Sequence, residues 1–409
     1  MFQGKEMLMK FRKDLMCIMN SFVYEIPTKI YFGENELNGN LKTEIQKYGN
    51  KVLLLYGGGS IKKIGLYQKI INELESNNDI KVFEYAGIEP NPRHTAINEA
   101  VKICKTNNID VILAVGGGSV IDSSKLISIG NYYNGDSWDF VIGKTKPEKA
   151  LPIITVLTLS ATGSEMNGTA VISNMETHQK KGVKSPLIVP KVSFLDPTLT
   201  YTVNKYQTAC GSADILSHIL ETYFSRNTGL SMLDRVMEGL MKTVIKYAKI
   251  AYIEPNNYEA RANLMWASSW AINGFVRIDR QPNIWVCHML EHQLSAFYDI
   301  THGLGLAILT PKYMRYALNE SNVDRYYEFG INVFDIDKNL PKSEVARKSI
   351  ECLEKFLYED LELTNDLKSL NINDEHFEEM ADRICKNGTI EGFIDLNKED
   401  IVNIFNECI

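Results

Sequence analysis

Three of the chain's seven histidines, His288, His292 and His302, fall in one short stretch. His288 and His292 stand four apart, so on a helix both rings leave the same face. His302 follows after a loop that could fold back towards them. Upstream, Asp214 and His218 repeat the four-residue spacing in a second helical pattern. A lone histidine on an apolar face is ordinarily a core residue with a satisfied ring, but a carboxylate and several imidazoles on two helices ask for another cause. Imidazole with carboxylate suits a borderline divalent cation, Fe(II) or Zn(II), rather than magnesium or calcium. One rival pattern overlaps: His288, Glu291 and His292 fit H-x-x-E-H, in which both histidines hold zinc and the glutamate is the general base of a hydrolase. That alternative leaves Asp214, His218 and the glycine turns below without work.

The elements that must position these residues are legible in outline. Lys51–Tyr56 is a short apolar run, followed by Gly57, Gly58, Gly59 and Ser60 and a helical pattern from Ile61 to Leu74. Asp110–Val115 is another run, followed by Gly116, Gly117, Gly118 and Ser119 and a helix from about Val120 to Gly130. Phe22–Tyr24, Lys29–Phe32, Lys81–Tyr85, Leu151–Leu157 and Val192–Leu195 extend the strand series. Apolar runs without polar alternation, separated by helices, predict a parallel sheet covered on both faces. After Pro197 the text reads as helical to the C-terminus, for example Glu259 to Ile272, which Asn273 and Gly274 close. The acidic stretch from Asp360 to Glu379 reads as a solvated helical face. The organisation expected is an N-terminal extension over 1–20, a nucleotide-binding α/β domain over 21–200 and a helical metal-binding domain over 201–409. The cleft between the two domains is the default ligand site.

A glycine turn between strand and helix lets the backbone close on an anion, and the helix start supplies free N–H groups, so a nucleotide phosphate is the expected guest. Neither turn reads G-x-G-x-x-G or ends as a Walker A loop.

At 409 residues, 44% hydrophobic and 23% charged, the chain is long enough for two domains with substantial cores. A net charge of -7 gives no whole-chain attraction to nucleic acid or to an anionic membrane, and no segment is long and apolar enough for a transmembrane helix. Neither partner is expected; a small molecule is. The seven cysteines are odd in number, scattered and without C-x-x-C, which fits a reducing cytoplasm.

From about residue 20 to the C-terminus the chain resembles the iron-containing alcohol dehydrogenase family, in its NADPH-dependent butanol dehydrogenase and aldehyde reductase branch. The resemblance is carried by Gly116 to Lys125, by Leu157 to Asn167 and by the spacing of Asp214, His218, His288, His292 and His302. It implies a dehydroquinate-synthase-like fold, a Rossmann-like parallel-sheet domain followed by a helical one, and a homodimer. It implies that Asp214, His218, His288 and His302 are the metal ligands, while His292 is an additional histidine close to substrate. For the coenzyme it implies Gly117, Gly118 and Ser119 at the pyrophosphate, Asp122 and Thr158 along the nicotinamide half, Lys180 near the nicotinamide ribose, and Leu159, Asn91 and Asn167 as further contacts. The activity implied is hydride transfer between a nicotinamide and a primary alcohol or aldehyde, with Lewis-acid help and with His292 passing the proton. A lyase resembling dehydroquinate synthase is the alternative on the same fold. NAD-specific relatives tend to carry an acidic residue where this chain has Gly57. Gly57, Gly58 and Ser60 could instead receive a 2′-phosphate, so NADP(H) is expected ahead of NAD(H).

Overall fold

The structure, a computed structural model, describes residues 21–76, 79–226, 231–278 and 284–409. The N-terminal half is built on a sheet of six strands: β1 (Lys29–Phe32), β2 (Lys51–Tyr56), β3 (Lys81–Tyr85), β4 (Val111–Gly116), β5 (Ile153–Leu157) and, after a hairpin, β8 (Val192–Leu195). Their order is β1-β8-β5-β4-β2-β3 and every pairing is parallel. Both faces are buried, and the alternation of side chains shows it. Leu53, Leu55, Ile112 and Ala114 enter one apolar cluster, while Val52, Leu54, Val111, Leu113 and Val115 enter the opposite one. Burying each of the larger side chains stabilises the sheet by about 1.5–3 kcal/mol. That is why these strands read as unbroken apolar runs.

The helices over the sheet include α1 (Asn40–Gln46), α2 (Leu66–Glu75), α3 (His94–Asn107) and α4 (Gly118–Gly130). In α4 every residue except Ser119 is buried. The helix expected from Ile61 to Leu74 is broken: Gly65 takes φ 76° between a four-residue turn of helix, Ser60–Lys63, and α2. Phe22–Tyr24 forms no strand, and Phe22 and Val23 are exposed.

Between β5 and β8 the chain leaves the sheet as an antiparallel hairpin, β6 (Thr169–Asn174) with β7 (Gln179–Lys184). The last strand of the six-stranded sheet ends at Leu195 and the first helix of the C-terminal half begins at Lys205. The C-terminal half packs α5 (Lys205–Tyr223), α6 (Ser231–Ile253), α7 (Tyr258–Ile272), α8 (Val286–Tyr298) and α9 (His302–Ala317) with shorter helices around one apolar core. It is not wholly helical, because Ile390–Glu391 and Asp395–Leu396 pair as a small antiparallel ladder. The acidic stretch from Asp360 is largely irregular rather than helical; Leu361, Leu363, Leu367 and Ile372 are buried in it, and a regular helix begins only at Phe377. Among the described residues no helix is long and apolar enough to cross a membrane. Six cysteines are described, all as free thiols, and Cys17 lies outside the described residues.

Candidate metal centre and coenzyme cleft

Asp214 and His218 project from the middle of α5, His288 and His292 from α8, and His302 is the first residue of α9. The helices bring them together because small residues let backbones meet. At Gly303 an added Cβ would lie 2.0 Å from Cys210 O, and at Gly211 it would lie 2.6 Å from Ser160 O. The result is a convergence on one carboxylate oxygen. Asp214 Oδ1 is 3.3 Å from His218 Nε2, 3.7 Å from His302 Nε2 and 3.9 Å from His288 Nε2. Ligating atoms of Asp214, His218 and His288 lie within 4.8 Å of one another.

The donor set has the marks of a cation site. Asp214 Oδ1 and His288 Nε2 are buried without a hydrogen-bond partner, a costly arrangement unless something charged or polar sits between them. Burial pushes the His218 imidazole down to about 3 against the pull of Asp214, so the ring is a neutral donor. Fe(II) or Zn(II) fits this oxygen and nitrogen chemistry.

His292 stands beside this group, its ring centroid 5.7 Å from that of His302 and 6.3 Å from that of His288. Its Nε2 is buried and unpartnered, and burial together with Lys180 holds the ring well below the ordinary histidine range. Glu291 cannot serve as the free base of an H-x-x-E-H hydrolase. Its Oε2 is taken by His302 Nδ1 and by Lys180 Nζ at 3.2 Å, and its Oε1 by the Ser295 hydroxyl. Burial alone would raise the Glu291 carboxyl, but His302 and Lys180 hold it well below the usual carboxylate range.

Two cavities meet at the histidines. One, of about 480 Å³, runs from Gly58 and Ser60 past Gly117, Gly118, Ser119, Thr158 and Leu159 to Asp214 and His302. The other, of about 430 Å³, is lined by Asp122, Asn167, Lys180, His218, His288 and His292, with Ile272, Trp285 and Met289 as an apolar wall. Asn91, Gly118, Ser119, Thr162 and His302 line both. A Cβ at Gly118 would come 2.3 Å from the Thr162 side chain, so a larger residue there would have to displace Thr162.

Several residues expected to touch coenzyme have their polar atoms occupied by protein. Asp122 accepts from Ser164 Oγ at 2.5 Å and Val171 N at 2.8 Å. Asn167 gives its amide to Gly163 O and accepts from Lys125 and Thr169 N. Asn91, at φ 50°, donates to Asp299 Oδ1 at 2.9 Å and Ile300 O, tying the halves together. Gly57 is off the cavity wall and accepts from Gly87 N, whereas Gly58 faces open space. Lys125, missed as a candidate, is wholly buried; it donates to Ser164, Asn167 and Thr169 O, and burial lowers its ammonium to about 8. Glu221 was missed as well; its Oε2 lies 2.6 Å from His288 Nδ1.

Comparison with known proteins places this arrangement. The profile described as "Iron-containing alcohol dehydrogenase" matches residues 27–197, and that described as "Fe-containing alcohol dehydrogenase family, C-terminal" matches 208–409. The chain is 49% identical over 391 residues to the NADH-dependent butanol dehydrogenase A of Clostridium acetobutylicum, spanning 95% of this chain and 100% of that one. It is 39% identical over 296 residues to the NADPH-dependent aldehyde reductase YqhD of Escherichia coli, spanning 72% of this chain and 75% of that one. The crystal structure of the NADH-dependent butanol dehydrogenase A from Thermotoga maritima superposes with a TM-score of 0.90 at 39% identity, over 95% of this chain and 99% of that one. With each half matched by its own profile and near full-length relatives on the same architecture, the chain belongs to the iron-containing alcohol dehydrogenase family, has its dehydroquinate-synthase-like fold, and is an oxidoreductase of alcohols and aldehydes.

Proposed function

We propose that this chain interconverts a short primary alcohol and its aldehyde, such as butanol and butanal, with NADP(H) as the preferred coenzyme and Fe(II) or Zn(II) held by Asp214, His218, His288 and His302. The observation that carries the reading is the approach of three imidazoles to the unpartnered Oδ1 of Asp214 where the two cavities meet. Such a cation supplies Lewis-acid polarisation of a carbonyl when bound.

The chain's own residues do the rest. The backbone around Gly117, Gly118 and Ser119, at the start of α4, offers N–H groups to a pyrophosphate. Thr158 and Leu159 flank the way from that turn to the histidines, and Asp122, Asn91 and Asn167 hold the surrounding backbone. Ile272, Trp285 and Met289 keep water from an alkyl chain. His292, unpartnered at Nε2 and beside His302, is placed to pass the alcohol proton.

The coenzyme preference rests on the other end of the cleft. Asp214 is the one carboxylate on the wall of the 480 Å³ cavity among the described residues, and it sits at the histidine end. No acid at Gly58 or Ser60 binds a ribose 2′-hydroxyl or repels a 2′-phosphate, and the Ser60 hydroxyl can donate to one. The relatives fall on both sides, butanol dehydrogenases named for NADH and an aldehyde reductase named for NADPH.

The test is NADPH and NADH consumption with butanal, repeated after chelation and after add-back of iron or zinc. Loss on chelation, recovery with metal and a higher kcat/KM for NADPH are expected. Turnover that survives complete metal removal, or a preference for NADH, defeats the corresponding part.

A further inference from the structure

Glu221 and Glu291 do nothing in the reading above, yet each is a buried carboxylate set against the back of one imidazole. Glu221 places Oε2 2.6 Å from His288 Nδ1, while its Oε1 accepts from the backbone N–H of Cys287. Glu291 receives His302 Nδ1 on Oε2 and the Ser295 hydroxyl on Oε1. A carboxylate on Nδ1 fixes the proton there and leaves the Nε2 lone pair pointing the other way, here towards Asp214. His218 lacks such a brace; its Nδ1 is buried without a partner.

Arg277 lies within electrostatic reach of Glu221, and the brace on His302 has a cation of its own. Behind Glu291 is a cation from the sheet half of the molecule. Lys180, on β7, brings Nζ to 3.2 Å from Glu291 Oε2, 3.0 Å from Ser295 Oγ and 3.2 Å from His302 Nδ1. Lys180 is 4% and Glu291 0% exposed in their side chains, so removing either partner strands a buried charge. Glu291, His292 and His302 are spaced closely enough to hold an ion of their own. The Lys180 ammonium already lies against two of them, and like charge keeps a second cation out.

We propose that Lys180 and Glu291 act as one positioning unit for the Nε2 of His302, with Glu221 doing the same for His288, so that a lysine of the nucleotide half helps set how tightly the helical half holds its cation. This rests on Asp214, His218, His288 and His302 being the ligands. It departs from what family resemblance implies for Lys180, a contact to the nicotinamide ribose, because Nζ donates to Glu291 and Ser295 and lies 3.2 Å from His302 Nδ1, all within the brace.

The test is zinc retention. The Zn(II)-loaded enzyme is challenged with graded chelator, and bound zinc and coenzyme KM are measured for Lys180→Met, Glu291→Gln, their double variant and Glu221→Gln. Each single change should weaken retention by roughly 10–100-fold. The double variant should lose no more than Glu291→Gln alone, since the two act as a unit, whereas Glu221→Gln combined with Glu291→Gln should multiply. Should Lys180→Met fail to fold, the double variant, which removes both charges, decides. Zinc retention at the wild-type level in Lys180→Met or in the double variant, with only coenzyme KM raised, overturns the proposal. Wild-type retention in His288→Ala and His302→Ala would instead show that the ligand assignment had failed.

Discussion

His302 Nε2 lies 3.7 Å from Asp214 Oδ1, which sets the first residue of α9 against the middle of α5. The contact depends on the neighbour of His302: Gly303 lies so close to Cys210 O that no side chain fits. Backbone cannot give way as a side-chain tip can. Gly303→Ala should force α9 off α5, cost about 1–3 kcal/mol of stability by overpacking, and reduce bound metal. Metal analysis and a melting curve measure both; a variant with wild-type metal content and Tm would contradict the packing argument.

His288 and His292 occupy one face of α8 but should respond differently to removal. His288→Ala should lower both bound metal and turnover, because it takes Nε2 from the group around Asp214. His292→Ala should keep the metal and lose roughly 100-fold or more in kcat, the usual scale for a proton-transfer group. Equal loss of metal in the two variants would put His292 among the ligands.

Coenzyme choice should be open to a single substitution at Gly58. A side chain there meets nothing within 4 Å, whereas one at Gly57 would come 3.1 Å from Ile88 O. Gly58→Asp therefore sets a carboxylate on the cleft wall with little strain. It should cut kcat/KM for NADPH by about 10–100-fold, a like-charge cost of about 1.4–3 kcal/mol, and leave NADH less affected. An unchanged ratio of the two would mean that the 2′-phosphate does not lie at this turn.

Acid stability should depend on Glu44, on α1. It is 2% exposed and binds Lys29 at 2.6 Å, Lys47 at 2.7 Å and Tyr31 at 2.7 Å. Burial alone would raise its carboxyl, but these partners bring it down to about 2 from 4.5. The stabilisation is present in full above pH 4.5 and fades as pH falls towards 2. Both lysines are about half exposed, so its size is at most on the order of 1 kcal/mol. Glu44→Gln should be less stable than wild type at pH 7 by that amount, and the gap should close on acidification. A gap independent of pH would assign the loss to packing.

What could be read in the chain beforehand divides by the range of the interaction. The runs Lys51–Tyr56 and Asp110–Val115 announce buried parallel strands, and the spacing of Asp214 with His218 and of His288 with His292 follows from helical pitch alone. Gly65 broke an otherwise continuous helical pattern because a left-handed residue interrupts a helix whatever its apolar periodicity. The hairpin from Thr169 to Lys184 was passed over, although Thr169, Val171 and Ile172 carry β-branched character before a turn. Glu221, Lys125 and the bracing role of Glu291 were invisible for a different reason. A carboxylate or ammonium acquires such a role only from what the fold brings against it, and the partners of Glu221 and Lys125 lie dozens of residues away in the chain.

The hairpin also makes the two halves poor modules. Besides Lys180, it sends His178 to Ala296 O on α8, and Arg383 reaches back to His178 O. A fragment beginning at the start of α5 would keep every histidine of the centre and lose the Lys180 ammonium that offsets the Glu291 charge. Chimaeras that join the sheet half of one relative to the helical half of another would inherit the same mismatch wherever the hairpin and α8 come from different parents. Recombination within this architecture is therefore better made with the strand pair and α8 kept from a single source than at the apparent boundary between sheet and helices.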